Sequence, residues 1–101
     1  MRVLVTGADG FVARHLVPAL LGGMHEVIGT VRERGVGSPS SVPLHPLDIT
    51  DRAACRELVR AVRPTHIVNL AAVSSVRWSF AHPEETRRVN VEGTRNVLEA
   101  A

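Results

Sequence analysis

A short apolar segment runs straight into a glycine turn and out again into a helical pattern, and this junction constrains the chain more than any other feature. Residues 2–6 (Arg-Val-Leu-Val-Thr) are apolar or β-branched at nearly every position. A continuous run of that length suits a strand buried on both faces, as in a parallel sheet. Gly7-Ala8-Asp9-Gly10 follows at once, and Ala13, Leu16, Val17, Leu20 and Leu21 then recur at helical spacing. Gly7 permits the sharp turn. Gly10 has no Cβ, so backbone there can approach a bound group closely, and Ala13 is small enough for the helix to lie near the strand. A helix starting at this point directs N–H groups and a partial positive charge at whatever lies over the turn, which favours a phosphate. No Gly-Lys-Ser/Thr follows, so the turn is not a P-loop.

The rest of the chain repeats the alternation. Gly22-Gly23 ends the first helix, and Pro18 inside it removes one backbone bond and predicts a kink. Residues 25–30 read as a second strand, residues 32–43 as a Gly-, Ser-, Pro- and Arg-rich loop, and residues 43–47 as a short third strand. Pro46 argues for an edge position there. Thr50 or Asp51 caps the next helix, whose inner face is Ala54, Leu58, Val59 and Val62, and Pro64 stops it. Residues 65–70 form a fourth buried strand and residues 71–83 a long loop. A last helix starts near Glu84 with Val89, Gly93, Val97 and Ala101 on one face. Strands alternating with helices predict an α/β fold, a doubly wound parallel sheet of strand order 3-2-1-4.

Composition narrows the function. A chain of 101 residues is one domain at most. Cys55 is the only cysteine, so no intrachain disulfide forms, and it reads as a small helix residue turned inward. None of the five histidines pairs with another His or Cys at metal-ligand spacing, so no metal site is expected. All twelve basic residues are arginine, for a net charge of +2. Arg52, Arg56, Arg60 and Arg63 make a stripe at helical spacing, which a nucleic-acid binder would also show. Asp51 and Glu57 interrupt it and aromatics are scarce, so it reads as a solvated helix face. No apolar run nears the roughly 20 residues that span a bilayer, and residues 1–5 are too few for a signal-peptide core. We expect a cytoplasmic protein with no membrane or nucleic-acid partner.

Four segments in chain order resemble one family. Thr6-Gly7-Ala8-Asp9-Gly10-Phe11-Val12-Ala13 has the Thr-Gly-x-x-Gly-x-x-Gly/Ala spacing. Leu47-Asp48-Ile49-Thr50-Asp51 resembles the segment after the third strand. Val68-Asn69-Leu70-Ala71-Ala72 resembles the fourth-strand motif, with Asn69 where histidine is usual. Asn90-Val91-Glu92-Gly93-Thr94 resembles the family's Asn-Val-x-Gly-Thr helix. Together they resemble the extended branch of the short-chain dehydrogenase/reductase superfamily, the NAD-dependent epimerases and dehydratases. The implied fold is the N-terminal half of a Rossmann-type sheet. Within the branch, Gly29-Thr30-Val31-Arg32, Ser74-Ser75-Val76, Trp78 and Phe80 are most similar to GDP-mannose 4,6-dehydratases and GDP-4-keto-6-deoxy-mannose reductases. UDP-hexose epimerases and dTDP-glucose dehydratases share most of these features.

The resemblance implies a site. Gly7, Asp9, Gly10, Phe11 and Val12 would hold the dinucleotide pyrophosphate, and Asp48 with Ile49 the adenine. Leu70, Ala71 and Ala72 would lie along the nicotinamide ribose, Asn90 would contact the cofactor or brace the site, and Ser75 would meet the sugar of a nucleotide-sugar substrate. An NAD-selective site carries an acid at the end of the second strand. Here Thr30-Val31-Arg32 stands there, followed by Glu33 and Arg34, so NADP is favoured over NAD. The family's chemistry uses a Tyr-x-x-x-Lys pair, and this sequence has no tyrosine and no lysine. The 101 residues alone are therefore expected to be inactive, as a truncated nucleotide-binding domain without its C-terminal substrate domain. An exposed fourth-strand edge would then lower its stability, and residues 84–101 would form a homodimer helix. A non-catalytic dinucleotide-binding regulatory module is the alternative.

Overall fold

The computed structural model describes residues 1–32, 42–72 and 76–101. The strands are β1 (Arg2–Thr6), β2 (Glu26–Val31), β3 (Leu44–Pro46) and β4 (His66–Asn69), and all pair in parallel in the order β3-β2-β1-β4. This is the doubly wound Rossmann-type half-sheet that the alternation predicts. Pro46 lies on β3, which pairs with β2 as the outer strand of the sheet, where a missing N–H costs least.

Alternation along the strands sorts the core into two layers. Val3, Val5 and Val27 face α1 (Phe11–Gly22) and pack with its Ala13 and Val17. Leu4 and Ile28 face the other way, towards Val62 of α2 (Arg52–Val62). Residues apolar at consecutive positions are thus buried on opposite faces, as a two-sided sheet requires. The first helix runs on through Pro18. Its apolar stripe is narrower than the spacing suggests, since Leu21 is exposed.

Asp51, rather than Thr50, caps α2 by accepting the Ala54 N–H at 3.1 Å. The helix ends at Arg63 in the left-handed region (φ 52°), just ahead of Pro64. Cys55 is buried against Leu47, Ile49 and Val97, and burial pushes its thiol pKa up. The arginines of the α2 stripe are all exposed, and Arg52 pairs with Glu99 at 3.3 Å.

Two expectations need correction. The segment 71–83 is not all loop: α3 (Val76–Ala81) lies within it. The His82 ring stacks on Trp78, four residues back, with centroids 4.2 Å apart, and the His82 N–H closes the turn on the Trp78 carbonyl. Residues 77–81 of this helix contribute nothing to the buried core, so they carry no apolar period to betray it. Nor is the last helix regular. It begins at Pro83, a residue suited to the first helical position, as α4 (Pro83–Arg87), widens to a π turn (Arg88–Gly93), and resumes as α5 (Thr94–Ala100). The extra residue re-phases the buried seam, which passes from Val89 through Gly93 to Asn96, Val97 and Ala100, leaving Ala101 exposed.

Gly93 is where this helix comes closest to the segment after β3. A Cβ there would stand 2.5 Å from Ile49 Cδ1 and 2.6 Å from its Cγ1, and Ile49 is itself buried. Gly93→Ala is therefore expected to destabilise the fold by about 1–3 kcal/mol, as overpacking does. Adding Ile49→Val, which removes the nearer methyl, should recover part of the loss. Urea unfolding of the three proteins checks this, and an unchanged midpoint in Gly93→Ala would show that the helix moves outward freely.

Candidate functional site

The site grows from the end of β1. Gly7 turns the chain in the left-handed region (φ 64°), and a Cβ there would strike the Leu70–Ala71 peptide at 2.8 Å. Only glycine satisfies both conditions. The turn is fastened by the Ala8 N–H to Thr30 O (2.9 Å) and the Gly10 N–H to Gly7 O (3.0 Å). Helix α1 then starts with Gly10 as its N-cap, with no side chain bonding the first N–H groups and no acid in the first turn. Its partial positive charge is unopposed by its own residues. Phe11 (76% exposed) and Val12 (57%) stand at the rim with their apolar side chains uncovered.

These residues form one wall of a cleft of about 330 Å³ along the carboxyl ends of the strands. Gly7, Asp9, Gly10, Phe11 and Val12 line it from the turn. Arg32 follows β2, Asp48 and Ile49 follow β3, and Leu70, Ala71 and Ala72 follow β4. Strand order reverses between β1 and β4, and such switch points are where open α/β sheets bind ligands. Asn90 is not on the wall. It sits half-buried in the π turn, and its neighbour Val89 lines the cleft instead. Ser75, like Glu33 and Arg34, lies outside the described residues.

Sequence reading missed Ala13, Leu47 and Val89 as lining residues. Leu47 neighbours an assigned aspartate. Val89 was assigned to the apolar face of the last helix; it packs there against the Cys55 and Val97 cluster and lines the cleft as well. The polar supports behind the wall were missed as well. Asn96, buried in α5, donates to the Ile49 carbonyl at 2.9 Å and so fixes the segment after β3 to the last helix.

Asp48 is the acid at the cleft's far end. Its Oδ1 accepts the Thr50 hydroxyl at 2.7 Å and the Thr50 N–H at 3.0 Å. The Thr50 hydroxyl chiefly, then its N–H, holds the carboxyl below the usual carboxylate range, and the charges of Arg32 and Arg88 add to this. The cleft thus combines an anion-attracting helix terminus with a guanidinium and an ionised carboxylate. A Cβ at Gly10 would meet only the Gly7 carbonyl oxygen, at 3.3 Å, and would otherwise enter open space. The turn accordingly has room and donors for a phosphodiester lying across it. Among the described residues no group of His, Cys, Asp or Glu could hold a metal, and no helix is long and apolar enough to cross a membrane.

Comparison with known proteins bears on the family and the fold. Residues 3–101 match the model of the NAD dependent epimerase/dehydratase family. The chain belongs to that family. A probable dTDP-glucose 4,6-dehydratase of Sinorhizobium fredii is 34% identical, over all of this chain and 31% of its own length. GDP-mannose 4,6 dehydratase 2 of Caenorhabditis elegans is 34% identical over 96% of this chain and 30% of its own. The crystal structure of Thermus thermophilus UDP-glucose 4-epimerase in complex with NAD superposes with a TM-score of 0.88 and 37% identity, covering 99% of this chain and 33% of that one. The chain thus spans about a third of the length of the relatives it matches.

For this family member the Asp48 turn generates a pH prediction. Its pKa is lower in the folded chain than the ordinary value of about 3.9. Its stabilising contribution is therefore present above that ordinary value and lost as pH falls through the folded one. Asp48→Ala should be less stable than wild type at pH 7, with the gap closing below about pH 4. Denaturation midpoints across pH check the sign, and a gap that widens in acid would contradict it.

Proposed function

We propose that this chain is the dinucleotide-binding portion of a nucleotide-sugar epimerase, dehydratase or reductase, most similar in function to GDP-mannose 4,6-dehydratase, and that it takes NADP in preference to NAD. The observation that carries the reading is the glycine turn at the uncapped, acid-free start of α1, in one cleft with Arg32. The helix start and Gly10 would receive the pyrophosphate. Arg32 would grip a ribose 2′-phosphate through its planar fork of donors. Asp48 would accept from the adenine amino group. Leu70, Ala71 and Ala72 leave the strand end low enough for the nicotinamide ribose to lie against it, and Ser75 would meet the sugar.

When bound, the nicotinamide supplies hydride transfer to and from the hexose. Within the chain's own residues no side chain offers the tyrosine–lysine acid/base pair, since both residue types are missing from the sequence. The chain by itself therefore binds without turnover, and a substrate-binding C-terminal domain would complete the parent enzyme. Val91 (47% exposed) and Leu98 (71% exposed) leave apolar surface on the last helix, which supports a homodimer through it.

Calorimetric titration of the chain with NADPH and NADH at matched ionic strength tests the cofactor. NADPH should bind about tenfold or more tightly, and Arg32→Ala should erase most of that difference while leaving NADH affinity nearly unchanged. Equal affinities in the wild type would assign NAD instead. No binding of either by a folded chain would reject the dinucleotide reading of the cleft.

A further inference from the structure

Behind the cleft wall a single file of polar groups joins three elements. The Ala71 N–H donates to Thr6 Oγ1 at 3.1 Å. The Thr6 hydroxyl donates to Asn69 Oδ1. Asn69 Nδ2 donates to Thr94 Oγ1 at 3.4 Å, and the Thr94 hydroxyl donates to the Asn90 carbonyl at 2.7 Å. Thr6 and Asn69 are register partners at the last rungs of β1 and β4. Each hydroxyl has one proton, and each is spent in the same direction along the file. In this arrangement every donor of the file meets an acceptor.

The file joins the π turn to the cleft. Ala71 lines it directly, and its N–H is the first donor. At the other end Thr94 splits its donors: its N–H bonds the Val91 carbonyl and its hydroxyl the Asn90 carbonyl. The hydroxyl thus ties the Asn69 amide to the Asn90 carbonyl inside the widened turn, and Val89 of the same turn lines the cleft. π turns of this kind occur frequently at functional sites.

We propose that Asn69 is a positioning residue that, by ordering the Thr6 and Thr94 hydroxyls, fixes the Ala71 strand end and the π turn at the spacing the dinucleotide requires. The proposal rests on the dinucleotide reading of the cleft. Asn69 does this because its amide has an acceptor on one side and a donor on the other, and neither titrates. An aspartate would keep the acceptor for Thr6 and lose the donor for Thr94. A neutral histidine could serve both partners, whereas its protonated ring has two donors and no acceptor.

The test uses the full chain and four near-isosteric variants, Thr94→Val, Thr94→Ser, Asn69→Asp and Asn69→His, with two readouts. The first is amide hydrogen exchange in the absence of ligand, with the Val27 amide in the core as a control for global unfolding. The second is NADPH affinity. Thr94→Val and Asn69→Asp should speed exchange at Ala71 and across residues 88–94 by about tenfold and weaken NADPH about three- to tenfold, with Val27 unchanged and Thr94→Ser close to wild type. Asn69→His should match wild type at pH 8 and lose affinity relative to it as pH falls through about 6.5. Exchange at Ala71 unchanged in both Thr94→Val and Asn69→Asp would overturn the positioning role, whatever the chain binds. Faster exchange at Ala71 with undiminished NADPH affinity would also overturn it. Faster exchange in a chain whose wild type binds neither dinucleotide would overturn the cleft's assignment and leave the mechanical coupling standing.

Discussion

The cleft exists because one peptide lies against one glycine. The Leu70–Ala71 peptide occupies the space a Gly7 Cβ would need, so the ends of β1 and β4 meet with no side chain between them. That approach sets the depth of the switch-point crevice and lets the Leu70 N–H reach the Thr6 carbonyl at 3.2 Å. It also puts the Thr6 hydroxyl within reach of both Asn69 and Ala71. A wider separation would part the glycine turn from its opposite wall. The two-layer core serves this junction, because Val3 and Val5 on one face and Leu4 on the other leave β1 no freedom to shift.

How legible this was depended on where each signal resided. β1, the turn and α1 could be read residue by residue, since burial on both faces leaves an unbroken apolar run and the turn demands glycine. The strand order followed from alternation and right-handed crossovers. The edge position of β3 followed from Pro46 alone, a missing donor that a central strand would not tolerate. Helix α3 escaped because its order comes from a Trp78–His82 stack near the surface and not from an apolar stripe. The π turn escaped for a different reason. Widening a helix by one residue leaves no compositional mark, and Val89, Gly93 and Val97 are spaced for a regular helix. Its packing partners show only in three dimensions, where Gly93 abuts Ile49 and Asn96 grips the Ile49 carbonyl.

The same division explains the site. Residues that touch the cleft through backbone or small side chains were legible, because their chemistry is the lack of a side chain. Arg32 and Asp48 were legible as charges just past strand ends, the side of a parallel sheet where ligands bind. The bonded supports were not, because Thr6, Asn69, Thr94 and Asn96 are ordinary polar residues until a neighbour distant in sequence turns them into a network. Asn90 shows the limit of reading position from motif. The motif marks the right turn of helix, while Val89 lines the wall and Asn90 offers its carbonyl to Thr94.

This arrangement separates what holds the cleft from what discriminates within it. The groups that set its dimensions are buried or half-buried and satisfied by one another, and among the described residues no buried side-chain nitrogen or oxygen lacks a partner. The groups that would read the ligand's charge, Arg32 and Asp48, are exposed, and Asp48 is ordered only by its own local turn with Thr50. Changing an exposed charge costs the fold little, since surface substitutions lie mostly within about 0.5 kcal/mol. Changing a member of the part-buried file leaves a neighbour's hydrogen bond unmade, which costs more. A scaffold divided in this way can exchange one dinucleotide or substrate for another at its rim while the strand ends and the π turn stay where the glycine contact and the hydroxyl file put them.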